Sequence, residues 1–147
     1  MNKMITLEAA QDREFIYTVD PADFERMVAQ IYADFGFEVS ITPETRDGGI
    51  DIIATRNIGM NSSVTMYIQC KRNRKDRPVN VDTLRSFDSV VRYGYTNRGV
   101  VVTTSYFTHD AIRFVEERGD LYELINGDSL YEMIKESASR YYEKLRN

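Results

Sequence analysis

Cysteine and histidine each occur once in the 147 residues, as Cys70 and His109, and those two counts remove several classes of protein. A single cysteine forms no intramolecular disulfide, so the chain is not a disulfide-stapled scaffold. One cysteine and one histidine also leave little on which to build a zinc site or histidine-based catalysis. His109 follows Thr108, a good helix N-cap, and reads as a surface helix residue. No apolar run approaches the roughly 18 residues of a spanning helix. The first 15 residues interrupt their apolar positions with Glu8, Asp12, Arg13 and Glu14, which breaks a signal-peptide core. Neither GxGxxG nor GxxxxGKS/T opens a helix, so a phosphate-cradling nucleotide fold has no support. Repeats, low-complexity tracts and Pro/Gly/Ser linkers are missing as well. The expectation is one reduced, soluble, cytoplasmic domain without a membrane partner.

A general excess of positive charge is lacking too. The net charge is −4, which argues against a protein that coats nucleic acid by bulk electrostatics. The distribution is uneven, however. Residues 71–77, KRNRKDR, carry five basic side chains and one acid, so the rest of the chain is strongly acidic. Taken alone, such a run is an ordinary solvated loop.

What is present is apolar patterning. Hydrophobic residues make up 42% and aromatics 12%, enough to build a core. Asp20 as N-cap and Pro21 at the first helical position precede Phe24, Met27, Val28, Ile31 and Phe35 at helical spacing, and Gly36 stops the pattern. Phe37, Val39 and Ile41 alternate with polar residues as a short strand before Pro43. Residues 49–54, GIDIIA, and 64–71, VTMYIQCK, have strand composition, with NIGMNSS between them as a hairpin loop. Val81, Leu84, Phe87, Val90 and Val91 predict a helix ending near Gly94. GVVVTT reads as a strand buried on both faces. Thr108 caps a helix that stops at Gly119, LYELI reads as a strand, and Asp128 is expected to cap the last helix. The order α-β-β-β-α-β-α-β-α implies an α/β fold, a mixed β-sheet flanked by helices. Residues 1–19 form an N-terminal extension in which EFIYTV could add one strand, and 20–147 form the domain.

Asp51 is the one charged residue in an apolar strand, where a carboxylate is costly unless it is paired or holds a metal. Gln69 and Lys71 are two apart on the later strand and share a face with Tyr67, while Ile68 and Cys70 face the other way. If the two strands form a hairpin, an acid, an amide and an ammonium converge. From spacing alone this equally fits a structural Asp–Lys ion pair at a strand end.

These residues carry a family resemblance. GGIDIIA followed by YIQCKR resembles the catalytic core of Mrr-like restriction endonucleases, a branch of the PD-(D/E)XK nuclease superfamily with glutamine in place of the middle acid. FERMVAQIYADFGFEV resembles that family's first helix and strand. RGVVVTTSYFTHDAI resembles its later buried strand and helix, and LINGDSLYEMI its C-terminal strand and helix, so the likeness covers roughly residues 21–136. The superfamily's core order, α-β-β-β-α-β, is the one read above.

The resemblance implies a metal-dependent DNA endonuclease, a deoxyribonuclease using Mg²⁺ or Mn²⁺ in its place, acting in defence against foreign or modified DNA. It makes Asp51 the metal-binding carboxylate and the backbone carbonyl of Cys70 a further ligand. Lys71 becomes the cation that orients or acidifies the attacking water and faces the scissile phosphate. Gln69 can coordinate through its amide oxygen but brings no charge. Glu25 sits where the family carries an acid near the metal, against its reading as a solvated helix residue. Asp47 reaches the site or caps a turn. Thr103 and Thr104 touch a phosphate or satisfy local backbone groups. Arg72, Arg74, Lys75 and Arg77 are candidate DNA contacts. Cleaving both strands of a duplex generally requires two active sites, so a homodimer is expected, with specificity supplied by a separate DNA-recognition partner or by loops such as 71–80. The competing expectation is a non-catalytic nucleic-acid-binding or assembly module that keeps the fold. Gln69 favours that module; Asp51 and Lys71 oppose it.

Overall fold

The computed structural model describes residues 3–43, 49–93 and 98–147. Helix α2, Pro21–Asp34, begins where its cap demands: the Asp20 carboxylate accepts the Asp23 N–H at 2.8 Å and Pro21 supplies a φ already suited to the first turn. Phe24, Val28, Ile31 and Tyr32 lie on its inner face, and Gly36, at φ 98°, turns the chain into the sheet.

Strands β1 (Glu38–Ile41), β2 (Ile52–Asn57), β3 (Ser63–Lys71), β4 (Arg98–Thr103) and β5 (Tyr122–Ile125) form one sheet in the order β1-β2-β3-β4-β5. β2 runs antiparallel to both β1 and β3, with Ile52 opposite Ile68. β4 and β5 continue parallel to β3, the arrangement that requires crossovers. These crossovers contain α3 (Val81–Tyr93) and α4 (His109–Glu116), and α5 (Gly127–Arg146) closes the chain.

Alternation along the strands divides the apolar residues between two layers. Ile52, Ala54, Ile68, Val100 and Val102 pack with Phe24, Val28, Leu130 and Ile134 on one face. Val101 and Tyr122 pack with Leu84, Phe87, Ala111 and Val115 on the other. Buried Asp88 accepts from Tyr122 and Arg92, and Arg118 lies 3.5 Å away, which ties α3 to the region after α4. The mixed sheet between helices is the restriction-endonuclease-like architecture expected from the sequence.

Three local expectations are corrected. EFIYTV does not form a strand: Met4–Gln11 is a helix, α1, and Arg13–Tyr17 a 3-10 helix. The Asp12 carboxylate caps the Glu14 N–H there, and Ile16 is fully buried between half-buried neighbours, so a turn satisfies the backbone where a strand would need an open edge. Helix α5 is capped by Asn126, whose side chain accepts the Ser129 N–H, and Asp128 sits in the first turn beside the helix's positive end. The β2 ladder starts at Ile52, so Asp51 stands at the mouth of the strand rather than inside it. Asp47 and Gly94 lie outside the described residues. Among the described residues, no helix is long and apolar enough to cross a membrane.

Candidate active site

Asp51 is held from three sides. Its N–H donates to the Ile68 carbonyl and its carbonyl accepts from Thr42, both at 2.9 Å, so backbone pairing extends one residue past the ladder. Its carboxylate accepts the Cys70 N–H at 2.7 Å. Ile68 and Cys70 both turn their backbone groups towards β2, and in a strand the N–H and C=O of one residue point to the same side. The Cys70 carbonyl is therefore directed to the side where Asp51 stands. The Cys70 side chain packs against the core that includes α2, and burial together with the negative field of Asp51 and Glu25 pushes its thiol well up. Cys70 is a core residue whose backbone serves the site.

Burial raises the Asp51 carboxyl above the usual carboxylate range, although the Cys70 N–H, a side-chain hydrogen bond with Glu25 and the Lys71 ammonium all pull it down. A hydrogen bond between two carboxyl groups needs a proton on one of them. Glu25, half-buried in the second turn of α2, thus reaches Asp51 and does not behave as a solvated helix residue.

Gln69 is 7% exposed, and its Oε1 has no hydrogen-bond partner among the described residues. An unpaired buried amide oxygen is a cost that a ligand would relieve. The amide lies against Gly49, which adopts φ +80°. Lys71, half-buried, ends β3; its carbonyl accepts the Thr103 hydroxyl at 2.7 Å and the Thr104 N–H at 3.3 Å. Thr104 exchanges two hydrogen bonds with the Asn73 backbone. The two threonines are thus spent on local backbone groups.

The basic residues do not form one free surface. Arg72 is half-buried and donates to the Tyr17 carbonyl at 3.3 Å. Lys75 pairs with Glu14 and lies 5.3 Å from the centre of the Tyr17 ring. Arg74 is exposed with Asp76 at 3.6 Å, and Arg77 is exposed. His109 opens α4 at the surface. Two contributors escape sequence reasoning: Gly49, for which the GG pair is the available signal, and Tyr17, which carries none because its partners lie far along the chain.

Asp51, Glu25 and Gln69 with the Cys70 carbonyl offer oxygen donors suited to a hard divalent cation, and a Gln69 oxygen without a partner among the described residues fits one. Among the described residues, no group of three or more His, Cys, Asp or Glu side chains is placed to hold a metal, so such a site must use the amide, the main chain and water.

Among solved structures, the chain is similar to the DNA modification-dependent restriction endonuclease AspBHI, at 20% identity and a TM-score of 0.70 over 96% of this chain and 38% of that one. It is also similar to the MspJI restriction endonuclease in complex with a 27-mer oligonucleotide, at 20% identity and a TM-score of 0.72, covering 92% of this chain and 32% of that one. An uncharacterized protein of Sinorhizobium fredii (strain NBRC 101917 / NGR234), y4cE, is 26% identical over 59% of this chain. The chain spans 22% of that relative's length, so these proteins are much longer than the part they share. The family model of Mrr catalytic domains, described as restriction endonuclease, matches residues 16–134. With the Asp51 and Gln69–Lys71 arrangement on this sheet, the chain belongs to the restriction endonuclease family.

Proposed function

We propose that this chain is a metal-dependent DNA endonuclease domain hydrolysing phosphodiester bonds. The observation that carries the reading is the buried Gln69 oxygen, without a hydrogen-bond partner among the described residues, on the same strand that sends its Cys70 N–H to the Asp51 carboxylate. Asp51, Gln69, the Cys70 carbonyl and Glu25 would hold Mg²⁺ or Mn²⁺. A cation bound there supplies the charge that makes water nucleophilic at neutral pH and offsets the growing charge on phosphate.

The residues divide the remaining work. The Cys70 N–H fixes the Asp51 carboxylate in orientation. Glu25, hydrogen-bonded to Asp51, brings the second carboxyl to the site, and both must be deprotonated to act as ligands. Lys71 keeps an ammonium at the end of β3, where it opposes phosphate charge and orients the attacking water. Arg74 and Arg77, exposed beyond Lys71, steer and hold the backbone of DNA. On this reading the protein works in the cytoplasm against foreign or modified DNA, as a homodimer for double-strand cleavage, with a separate partner supplying sequence or modification recognition.

One observation favours a binding module instead: the site lacks a third acid among the described residues. Plasmid incubated with Mg²⁺, with Mn²⁺ or with chelator separates the two. Nicked or linear product formed only with a cation supports the nuclease. DNA binding without cleavage in either cation, with Gln69→Glu creating cleavage, identifies the module.

A further inference from the structure

β3, β4 and β5 are parallel, so their carboxyl ends share one edge of the sheet, and open sheets bind ligands outside that edge. The Asp51 cluster occupies the β3 end. Beside it, over the end of β4 and the start of α5, is an open cleft of about 420 Å³ whose walls include Arg13, Glu14, Tyr17, Lys75, Tyr106 and Asp128, within the size range of ligand sites. The cleft is tied to the catalytic strand: the Tyr17 hydroxyl donates to the Thr104 carbonyl, and Thr104 is bonded to Asn73, two residues past Lys71.

Its lining combines aromatic faces with replaceable ion pairs. Tyr106 is 49% exposed, and the Tyr17 ring faces the Lys75 ammonium. Each cation has an acid beside it, Lys75 with Glu14 and Arg13 with Asp128. These pairs are largely in solvent and weakly held, so both cations can change partners at small cost. A lining of balanced charge has little attraction for an isolated anion, whereas tyrosine rings bordered by cations suit a nucleobase and its phosphates.

We propose that this cleft is a nucleotide subsite. It takes one unpaired nucleotide of a DNA strand, the base against Tyr106 and Tyr17, while the flanking phosphates take Lys75 and Arg13 from Glu14 and Asp128. The two acids thus stand where phosphate will stand. A paired base keeps its faces covered and does not enter. This rests on the DNA reading above and adds a requirement for local unpairing next to the scissile phosphate.

The test is fluorescence anisotropy in chelator with a short labelled single strand and its blunt duplex. Tyr106→Ala should lose about 5- to 150-fold in single-strand affinity, the value of one base–aromatic stack, with Tyr106→Trp retaining it. Glu14→Gln should bind more tightly than wild type, because a competing acid is gone. Thermal midpoints should match wild type; should Tyr106→Ala lower its own, Glu14→Gln decides, tighter binding supporting the subsite and equal or weaker binding overturning it. Single-strand affinity unchanged in a stable Tyr106→Ala, or a wild type that binds only the duplex, overturns the subsite and leaves the nuclease reading intact. A wild type that binds neither DNA overturns the subsite, and the cation-dependent cleavage assay then decides the nuclease reading separately.

Discussion

A Cβ on Gly49 would lie 2.2 Å from Nε2 of Gln69, so the missing side chain at one position is what allows the amide to lie at the other. The φ of +80° at Gly49 adds a second reason for glycine. Gly49→Ala should cost about 1–2 kcal/mol from the left-handed backbone alone, with a further penalty from displacing the amide, and it should depress cleavage. Urea unfolding of a double-mutant cycle with Gln69→Ala isolates the interaction. The two destabilisations should fall short of additivity by about 0.5 kcal/mol or more; strict additivity would contradict the interaction.

The raised Asp51 carboxyl gives stability a defined pH dependence. Burial is the leading cause, against the Cys70 N–H, Glu25 and Lys71. A carboxyl whose folded pKa is raised binds more protons folded than unfolded. Its contribution is therefore full below the unfolded value of about 3.9 and is lost as pH rises through the folded value. In chelator, Asp51→Asn should be more stable than wild type at neutral pH, with the gap closing as the solution is acidified. Asparagine can still accept the Cys70 N–H. Thermal unfolding across pH checks this, and an Asn variant less stable at every pH would contradict it.

The basic segment should separate into two kinds of residue. Arg74 and Arg77 are exposed, so replacing each with alanine should reduce the salt slope of DNA binding by about 0.9 for every phosphate left unneutralised, without lowering the thermal midpoint. Arg72 is half-buried against the Tyr17 carbonyl, and Arg72→Ala should lower the midpoint. A slope unchanged in the Arg74→Ala, Arg77→Ala double variant would make this stretch a solvated loop.

Much of this was legible because the signals are local. Asp20, Pro21 and Gly36 delimit α2, Thr108 starts α4, and the period-2 pattern of 64–71 separates Lys71 and Gln69 from Cys70. The N-terminal segment was not, since a short apolar run such as EFIYTV satisfies both a strand and a turn. Its fate depended on the Asp12 cap and on a core assembled from distant residues. The Glu14–Lys75 pair joins residues 61 positions apart, beyond the reach of any local pattern. The same holds for Glu25 and Asp51: helical spacing puts Glu25 at the border of the buried face of α2, beside Val28, Ala29 and Tyr32, and only the packing of α2 against the sheet brings the two acids together.

Lys71 gives the most direct test of the central claim, because its role belongs to the chemistry rather than to the fold or to metal binding. Lys71→Met keeps most of the side-chain volume while removing the ammonium. Plasmid cleavage with Mg²⁺ under saturating protein should show wild-type turnover falling by about 10² or more in the variant, while DNA affinity and the thermal midpoint stay close to wild type. Cleavage by Lys71→Met at the wild-type rate, or wild type that cleaves equally well in chelator, would contradict the account.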